Sequence, residues 1–265
     1  MTESLGTGAH VVVTGASSGI GEALARAFLA RGDRVTLAAR RVGLLEALAK
    51  EYGPRAFVHA VDLGKSENAS GLVEAARAAH GPIDVLVNNA GVQIVGPTEA
   101  SDFEAGRALL ELNVHTPMRL TTLVLPEMIE RRRGTIVDVA SMAAIAPTPG
   151  MFFYNASKGA LAAASEGLRG EVKRHGVHVV TVYPGPVKSA MESAAREKYV
   201  ASNAVENTPT GTAEELARLV LAAVDKRRPR VVYPRVYGMA RHFPNATRWI
   251  VDAFTPDVKR LPGKG

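Results

Sequence analysis

Seven short β-rich runs recur along the chain, each separated from the next by a stretch of helical period. The runs are His10–Thr14, Arg34–Ala39, Ala56–Val61, Val85–Asn88, Thr135–Ala140, Val177–Val182 and Val231–Tyr233. Helical patterns fall near residues 20–31, 43–52, 67–80, 102–131, 153–175 and 213–227. Few architectures accommodate that alternation. Parallel strands need crossovers of a dozen residues or more, and the crossover helices cover both faces of the sheet. The chain therefore predicts the α/β class, with a doubly wound parallel sheet of about seven strands. Its 265 residues suit one large domain, and no repeat, low-complexity linker or composition step divides residues 1–265. Thr212 followed by Glu215 forms a capping box for the last of these helices. Pro117 and Pro126 predict a bend or break in the longest helical stretch. Residues 189–210 are the least regular segment, and such a loop in a compact domain is usually functional or disordered, so a substrate loop is expected there. Residues 235–265 form a tail punctuated by Pro244, Pro256 and Pro262, with a short amphipathic stretch from Asn245 to Phe254.

Composition narrows the class further. Apolar residues make up 46% and charged residues 22% of the chain, ordinary values for a globular protein. No apolar run approaches the ~18 residues of a membrane span, and Met1 to His10 lacks the charged-then-apolar pattern of a signal peptide. With no cysteine there is no disulfide, thiolate metal site or catalytic thiol, which fits a cytoplasmic protein. The seven histidines (10, 59, 80, 115, 175, 178 and 242) lack metal-ligand spacing, and no metal is implied. His175 and His178 flank a glycine at a helix end, where neutralising the helix dipole is the simpler role. The net charge of +6 is unevenly placed: residues 226–265 hold ten Lys/Arg and two Asp/Glu, and the rest hold 22 basic and 24 acidic residues. The basic balance thus belongs to the tail, which reads as a solvated or lid-like segment rather than a nucleic-acid surface. A membrane-surface role for its amphipathic stretch lacks a second anchor.

The first strand runs straight into Gly15-Ala16-Ser17-Ser18-Gly19-Ile20-Gly21 and then a helix. Glycines in such a turn let the backbone approach a pyrophosphate that rests on the helix N-terminus, although tight turns need glycine for their own reasons. The second strand ends Ala39-Arg40-Arg41, where a dinucleotide fold meets the adenosine ribose. No acid is present to accept from a free 2′-hydroxyl, and two guanidiniums suit a 2′-phosphate. The alternative is a solvent-facing helix start. Asp62, with Leu63 after it, closes the third strand where an adenine edge would lie; Asp62 also fits as a cap for the following turn.

Tyr154 and Lys158 stand four residues apart, with Ser141 thirteen residues before the tyrosine. Four residues is just over one helical turn, so phenol and ammonium project from one face. A nearby ammonium favours the phenolate and lowers a pKa that starts near ~10. A serine hydroxyl reaching the same spot would hydrogen-bond a carbonyl oxygen. Taken alone, the pair also fits a plain surface contact.

Taken together, Thr14 to Gly21, Asn88-Asn89-Ala90-Gly91, Asn113, Ser141, Tyr154, Lys158 and Pro184-Gly185 resemble the ordered motifs of the one-domain short-chain dehydrogenase/reductase family. The resemblance spans about residues 8–234. It implies a Rossmann-type sheet in the order 3-2-1-4-5-6-7 and hydride transfer with a nicotinamide cofactor, here NADP(H) from Arg40 and Arg41. It implies a catalytic tetrad. Tyr154 exchanges the proton, Ser141 positions the carbonyl, Lys158 lowers the phenol pKa and binds the nicotinamide ribose, and Asn113 holds a relay water. Asn113 also fits as a bridge between backbone groups at a helix kink. Asn88 and Asn89 would steady the central sheet, Asn89, Ala90 and Gly91 would lie close to the cofactor, and Pro184, Gly185, Val187 and Ser189 would lie near the nicotinamide. Serine replaces the family's usual threonine at 189 and keeps the hydroxyl.

Between Ser141 and Tyr154 stand Ala143, Ala144, Ile145, Met151 and Phe152, and Met191 opens the irregular loop. No Arg, Lys or His lies in that interval, which points to an apolar ketone, aldehyde or secondary alcohol, with Ser141, Ala143, Met151, Tyr154 and Met191 as contacts. These residues also fit a plain core. A non-catalytic dinucleotide-binding sensor or assembly protein is the alternative reading, disfavoured by an intact tyrosine–lysine pair. The resemblance also favours homodimers or homotetramers built on the helices near 102–131 and 153–175.

Overall fold

Seven parallel strands form one sheet in the order β3-β2-β1-β4-β5-β6-β7, in a computed structural model that describes residues 6–201, 208–241 and 243–259. The strands are β1 (His10–Thr14), β2 (Arg34–Ala39), β3 (Ala56–Ala60), β4 (Val85–Asn88), β5 (Gly134–Val139), β6 (Val177–Pro184) and β7 (Arg230–Tyr233). All seven expected runs form strands, with ends shifted by two residues or fewer. β1 is buried throughout, as a central strand covered on both faces must be, and its Val-rich sequence suits that position.

The helices are α1 (Gly19–Arg31), α2 (Val42–Tyr52), α3 (Ala69–His80), α4 (Phe103–Leu110), α5 (Thr116–Glu130), α6 (Phe152–Val172), α7 (Ala190–Arg196), α8 (Ala213–Asp225) and α9 (Pro244–Phe254). One apolar core joins α1, α2 and α8 to one face of the sheet through Leu24, Phe28, Leu45, Leu216 and Val220. A second core joins α3, α5 and the end of α6 to the other face through Leu72, Leu120, Met128 and Val172. Gly32 closes α1 in the left-handed region at φ 102°, its N–H returning to Leu29 and Phe28 carbonyls.

The expected interruption of the long helical stretch is a π turn, Glu111–His115, between α4 and α5, with Pro117 in the first turn of α5. Pro126 lies inside α5 and does not end it. It stands on the solvent side, where the carbonyl it leaves unbonded is open to water.

Residues 189–210 contain more order than expected. Ser189 caps α7 by accepting from the Glu192 N–H at 3.2 Å, and Glu192 pairs with Arg196 at 2.8 Å one turn on. Ser189 and Glu192 are a capping box, a signal present in the sequence and overlooked among the surrounding alanines. Residues 202–207 of this segment lie outside the described residues. The tail folds back on the domain. α9 matches the expected amphipathic stretch, and Tyr199 and Val258 form an antiparallel bridge. Among the described residues no helix is long and apolar enough to cross a membrane, and no group of three or more His, Cys, Asp or Glu could hold a metal ion.

Candidate active site

At the carboxyl ends of β1, β4, β5 and β6 lies a cavity of about 510 Å³. Open α/β sheets place ligands there, at the point where the strand order reverses. Lining it are Gly15 and residues 17–21 of the turn, Arg40, Arg41, Asp62, Leu63, Asn89, Ala90 and Gly91. Ser141, Ala143, Met151, Tyr154, Lys158, Pro184, Gly185, Val187, Ser189 and Met191 complete the expected set. Asn113 does not line the cavity, nor do Ala144, Ile145 and Phe152 of the interval between Ser141 and Tyr154.

The glycine turn is built for close approach. Gly15 sits at φ 69°, and a Cβ there would come within 2.9 Å of Asn89 Nδ2. A Cβ on Gly21 would strike the Gly15 carbonyl and the Asn89 amide. A Cβ on Gly19, at φ 57°, would be in ordinary contact with Ser189 Cβ at 3.8 Å, and Gly19 lines the cavity, so backbone can meet a ligand at the start of α1. The turn is tied to β4 through Thr14, whose Oγ1 accepts from the N–H groups of Asn89 (2.9 Å) and Ala90 (3.0 Å). Asn89 Nδ2 in turn donates to the Thr14 carbonyl at 2.9 Å. Asn88 donates to Asp138 Oδ1 at 2.8 Å, joining β4 to β5. This cradle fits a dinucleotide.

Arg41 reaches back onto the turn, its guanidinium donating to Ser17 Oγ at 3.0 Å and Ser18 Oγ at 2.6 Å. Both arginines are exposed at the cavity rim. Asp62 accepts from Gly64 N–H at 3.0 Å, as the capping reading expects, and it also lines the cavity.

α6 carries Tyr154 and Lys158 on one face, and Ser141 stands beside them two residues past the end of β5, capping the short turn Met142–Ala144. Lys158 is buried, its Nζ donating to the Val139 carbonyl at 2.8 Å and lying 5.8 Å from the Tyr154 ring centre. Burial lowers the Lys158 pKa to about 8, opposed by the Asp138 charge. Burial raises the Tyr154 pKa, opposed by a hydrogen bond from Ser141. That direction is the reverse of the one expected from the lysine. The physical reason is that the phenolate is charged as well, and removal from water outweighs what its neighbours return. Asp138, also buried, is pushed upward by desolvation and drawn down by Asn88, Ser165 and Lys158.

Asn113, at the π turn, accepts from the Val92 N–H and donates to the Val92 carbonyl, both at 2.9 Å, and donates to Ser157 Oγ at 3.1 Å. The bridging reading describes these contacts. A Cβ on Gly91 would meet Asn113 Oδ1 at 3.0 Å and Lys158 Nζ at 3.6 Å, so a glycine there keeps amide and ammonium close.

Sequence reasoning overlooked several wall residues: Val92, Gln93, Thr148, Ala190 and Glu192. Val92 and Gln93 follow the Asn-Asn-Ala-Gly run directly, and that adjacency was the available signal. Thr148 is held by Asn155, which donates to its carbonyl at 2.8 Å.

The short chain dehydrogenase family model matches residues 9–200. A short chain dehydrogenase of Pseudocercospora fijiensis is 38% identical over 69% of this chain, and the match covers 61% of that relative's length. A dehydrogenase/reductase SDR family protein 7-like of Anopheles gambiae is 30% identical over 92% of this chain and 82% of the relative. Among solved structures, a short-chain dehydrogenase from Streptomyces avermitilis superposes with TM-score 0.80 at 31% identity, covering 92% of this chain and 95% of that one. A 3-ketoacyl-(acyl-carrier-protein) reductase from Brucella melitensis complexed with NADH gives 0.77 at 25% identity, covering 86% and 97%. L-sorbose reductase from Gluconobacter frateurii, complexed with NADPH and L-sorbose, gives 0.74 at 26%, covering 88% and 97%. The chain belongs to the short-chain dehydrogenase/reductase family of oxidoreductases, with the Rossmann-type sheet of that family.

Proposed function

We propose that this protein is an NADP(H)-dependent oxidoreductase of an apolar ketone or aldehyde, or of the corresponding secondary alcohol. The observation that carries the reading is a single cavity lined by the glycine turn, Arg41, Ser141, Tyr154 and Lys158. When bound, the nicotinamide dinucleotide supplies or takes the hydride. Tyr154 gives its phenolic proton to the carbonyl oxygen in reduction and takes it back in oxidation. Ser141 holds that oxygen beside the phenol. Lys158 keeps a positive charge behind the phenol, which favours the phenolate left after proton transfer, and binds the nicotinamide ribose. Asn113 holds a water that returns protons to Lys158. Glycines 15, 19 and 21 admit the pyrophosphate, and Arg41, steadied by Ser17 and Ser18, meets the 2′-phosphate.

Relatives of this fold are found with NADH and with NADPH, so the preference rests on Ala39, Arg40 and Arg41 of this chain. The cavity walls Ala143, Met151 and Met191 suit an apolar body, and residues 189–210, with α7, act as the substrate loop. The protein works as a cytoplasmic homo-oligomer. A screen of ketones, aldehydes and alcohols, following the absorbance of the reduced nicotinamide with each cofactor, tests the reading. Turnover with NADPH at least tenfold more efficient than with NADH is expected. A protein that turns over no carbonyl or alcohol, while binding NADPH, is the sensor instead.

A further inference from the structure

A second groove of about 290 Å³ opens beside the cavity and shares Val92, Gln93 and Met191 with it. Past those three, the wall continues with Val95, Ala194, Ala195 and Lys198. Met191, Ala194, Ala195 and Lys198 follow the i, i+3, i+4, i+7 spacing of one helical face, so α7 and its final turn present this stripe toward the 92–95 segment. Both walls are fixed. Asn113 bonds both the N–H and the carbonyl of Val92. Arg196 ties α7 to Thr210 Oγ1 at 2.6 Å, the Lys198 carbonyl accepts from Lys259 N–H at 2.8 Å, and Tyr199 Oη donates to the Pro149 carbonyl at 2.8 Å. Glu192, which lines the neighbouring cavity, is paired with Arg196. Lys198 is exposed, and among the described residues no carboxylate pairs with its ammonium.

We propose that this groove holds the distal part of the substrate, an extended aliphatic chain ending in an anionic group that meets Lys198. The proposal rests on the oxidoreductase reading and names its substrate class: an oxo compound, apolar around the carbonyl and acidic at the far end. Seven residues at ~1.5 Å rise place Lys198 about 10 Å along the stripe from Met191. A carbon chain with ~1.52 Å bonds at ~111° advances about 1.25 Å per bond, so about eight carbon–carbon steps, seven methylenes between carbonyl and carboxylate, span a distance of that length. The interval between Ser141 and Tyr154 carries no cation, which leaves the acid to be recognised at this remote position.

The test compares 2-butanone, 2-decanone and 9-oxodecanoate as substrates with NADPH. The last two differ only in the terminal group. The expected order of kcat/KM is oxodecanoate above decanone by about threefold, the scale of an exposed ion pair, and decanone well above butanone, at about two- to fourfold per methylene placed in the groove. Lys198→Glu should invert the oxodecanoate-to-decanone ratio, and Ala194→Phe should cut the decanone-to-butanone ratio at least tenfold. Equal ratios in wild type and both variants overturn the groove, while turnover of butanone leaves the oxidoreductase reading standing. Calorimetry with decanoate supplies a readout without turnover. Severalfold weaker binding to Lys198→Glu supports the groove even where none of the three ketones is reduced, and unchanged binding overturns it.

Discussion

Lys158 carries a charge in a place that resists charge. Its ammonium is buried behind the phenol, with Val139 as its hydrogen-bond acceptor and the buried Asp138 as its counter-charge. Because burial brings its pKa to about 8, the ammonium is lost as pH rises through that value. The kcat/KM for carbonyl reduction should therefore be level below about pH 8 and fall above it. Asp138 raises the lysine pKa, so Asp138→Asn should move the falling limb to lower pH while Asn keeps a partner for Asn88. Identical pH profiles for the two proteins would remove Asp138 from the account. Tyr154→Phe should lose at least nine-tenths of the turnover and keep its NADPH affinity in a fluorescence titration, since the ring still packs and only the hydroxyl is gone. Ser141, Tyr154 and Lys158, which share one cavity wall, were noticeable from their order and spacing. Asp138 was not, because its effect comes from a neighbour twenty residues away in sequence and brought close only by α6 lying across β5.

Elements differ in how plainly they announce themselves. The strand–turn–helix unit from β1 to α1 was readable because steric limits act within a few residues. Gly21→Ala should abolish NADPH binding and destabilise the fold, since the added methyl meets the Gly15 carbonyl, and a lowered melting temperature with no cofactor-induced rise would record it. α7 was readable in principle through its capping box and was lost among alanines. The helix pair expected to join subunits shows an aromatic cluster: Phe103 and Phe152 are 69% and 59% exposed and both stack edge-on against Phe153. Large rings facing outward mark where a second copy is expected to dock. Light scattering should find a dimer or larger in the wild type and a smaller species for Phe103→Glu; no change of mass would move the interface elsewhere.

For the whole molecule, two buried histidines work against acid. His10 is wholly buried, bonded to Gly81 and Thr36, and burial lowers its pKa to about 4; His178, also buried, falls to about 4 for the same reason. Between the unfolded value of 6.5 and about 4 the unfolded chain binds the protons that the folded one refuses. The stability kept by these two neutral imidazoles is therefore complete above about 6.5 and is lost as pH falls toward 4. At ~1.36 kcal/mol per pH unit, His10 alone costs about 2 kcal/mol by pH 5. Urea unfolding at pH 7 and pH 5 should show this loss, and a His10→Gln protein, weaker overall, should show a smaller difference between the two. An equal difference would place the acid sensitivity elsewhere.

What the sequence determined by itself was the set of elements and the motif residues. Hydrophobic period, β-branched runs, glycine positions and caps act over one or two turns of chain, and a reader of the sequence has all the atoms involved. Only the tertiary structure decided how those residues behave. Tyr154 gains a raised pKa rather than a lowered one because desolvation depends on everything packed around it. Arg41 turns onto Ser17 and Ser18, and the tail pins Lys198, two residues past α7, at the wall of the second groove. These contacts join segments twenty to sixty residues apart, and electrostatics in a buried site is set by that closure, which no local pattern records.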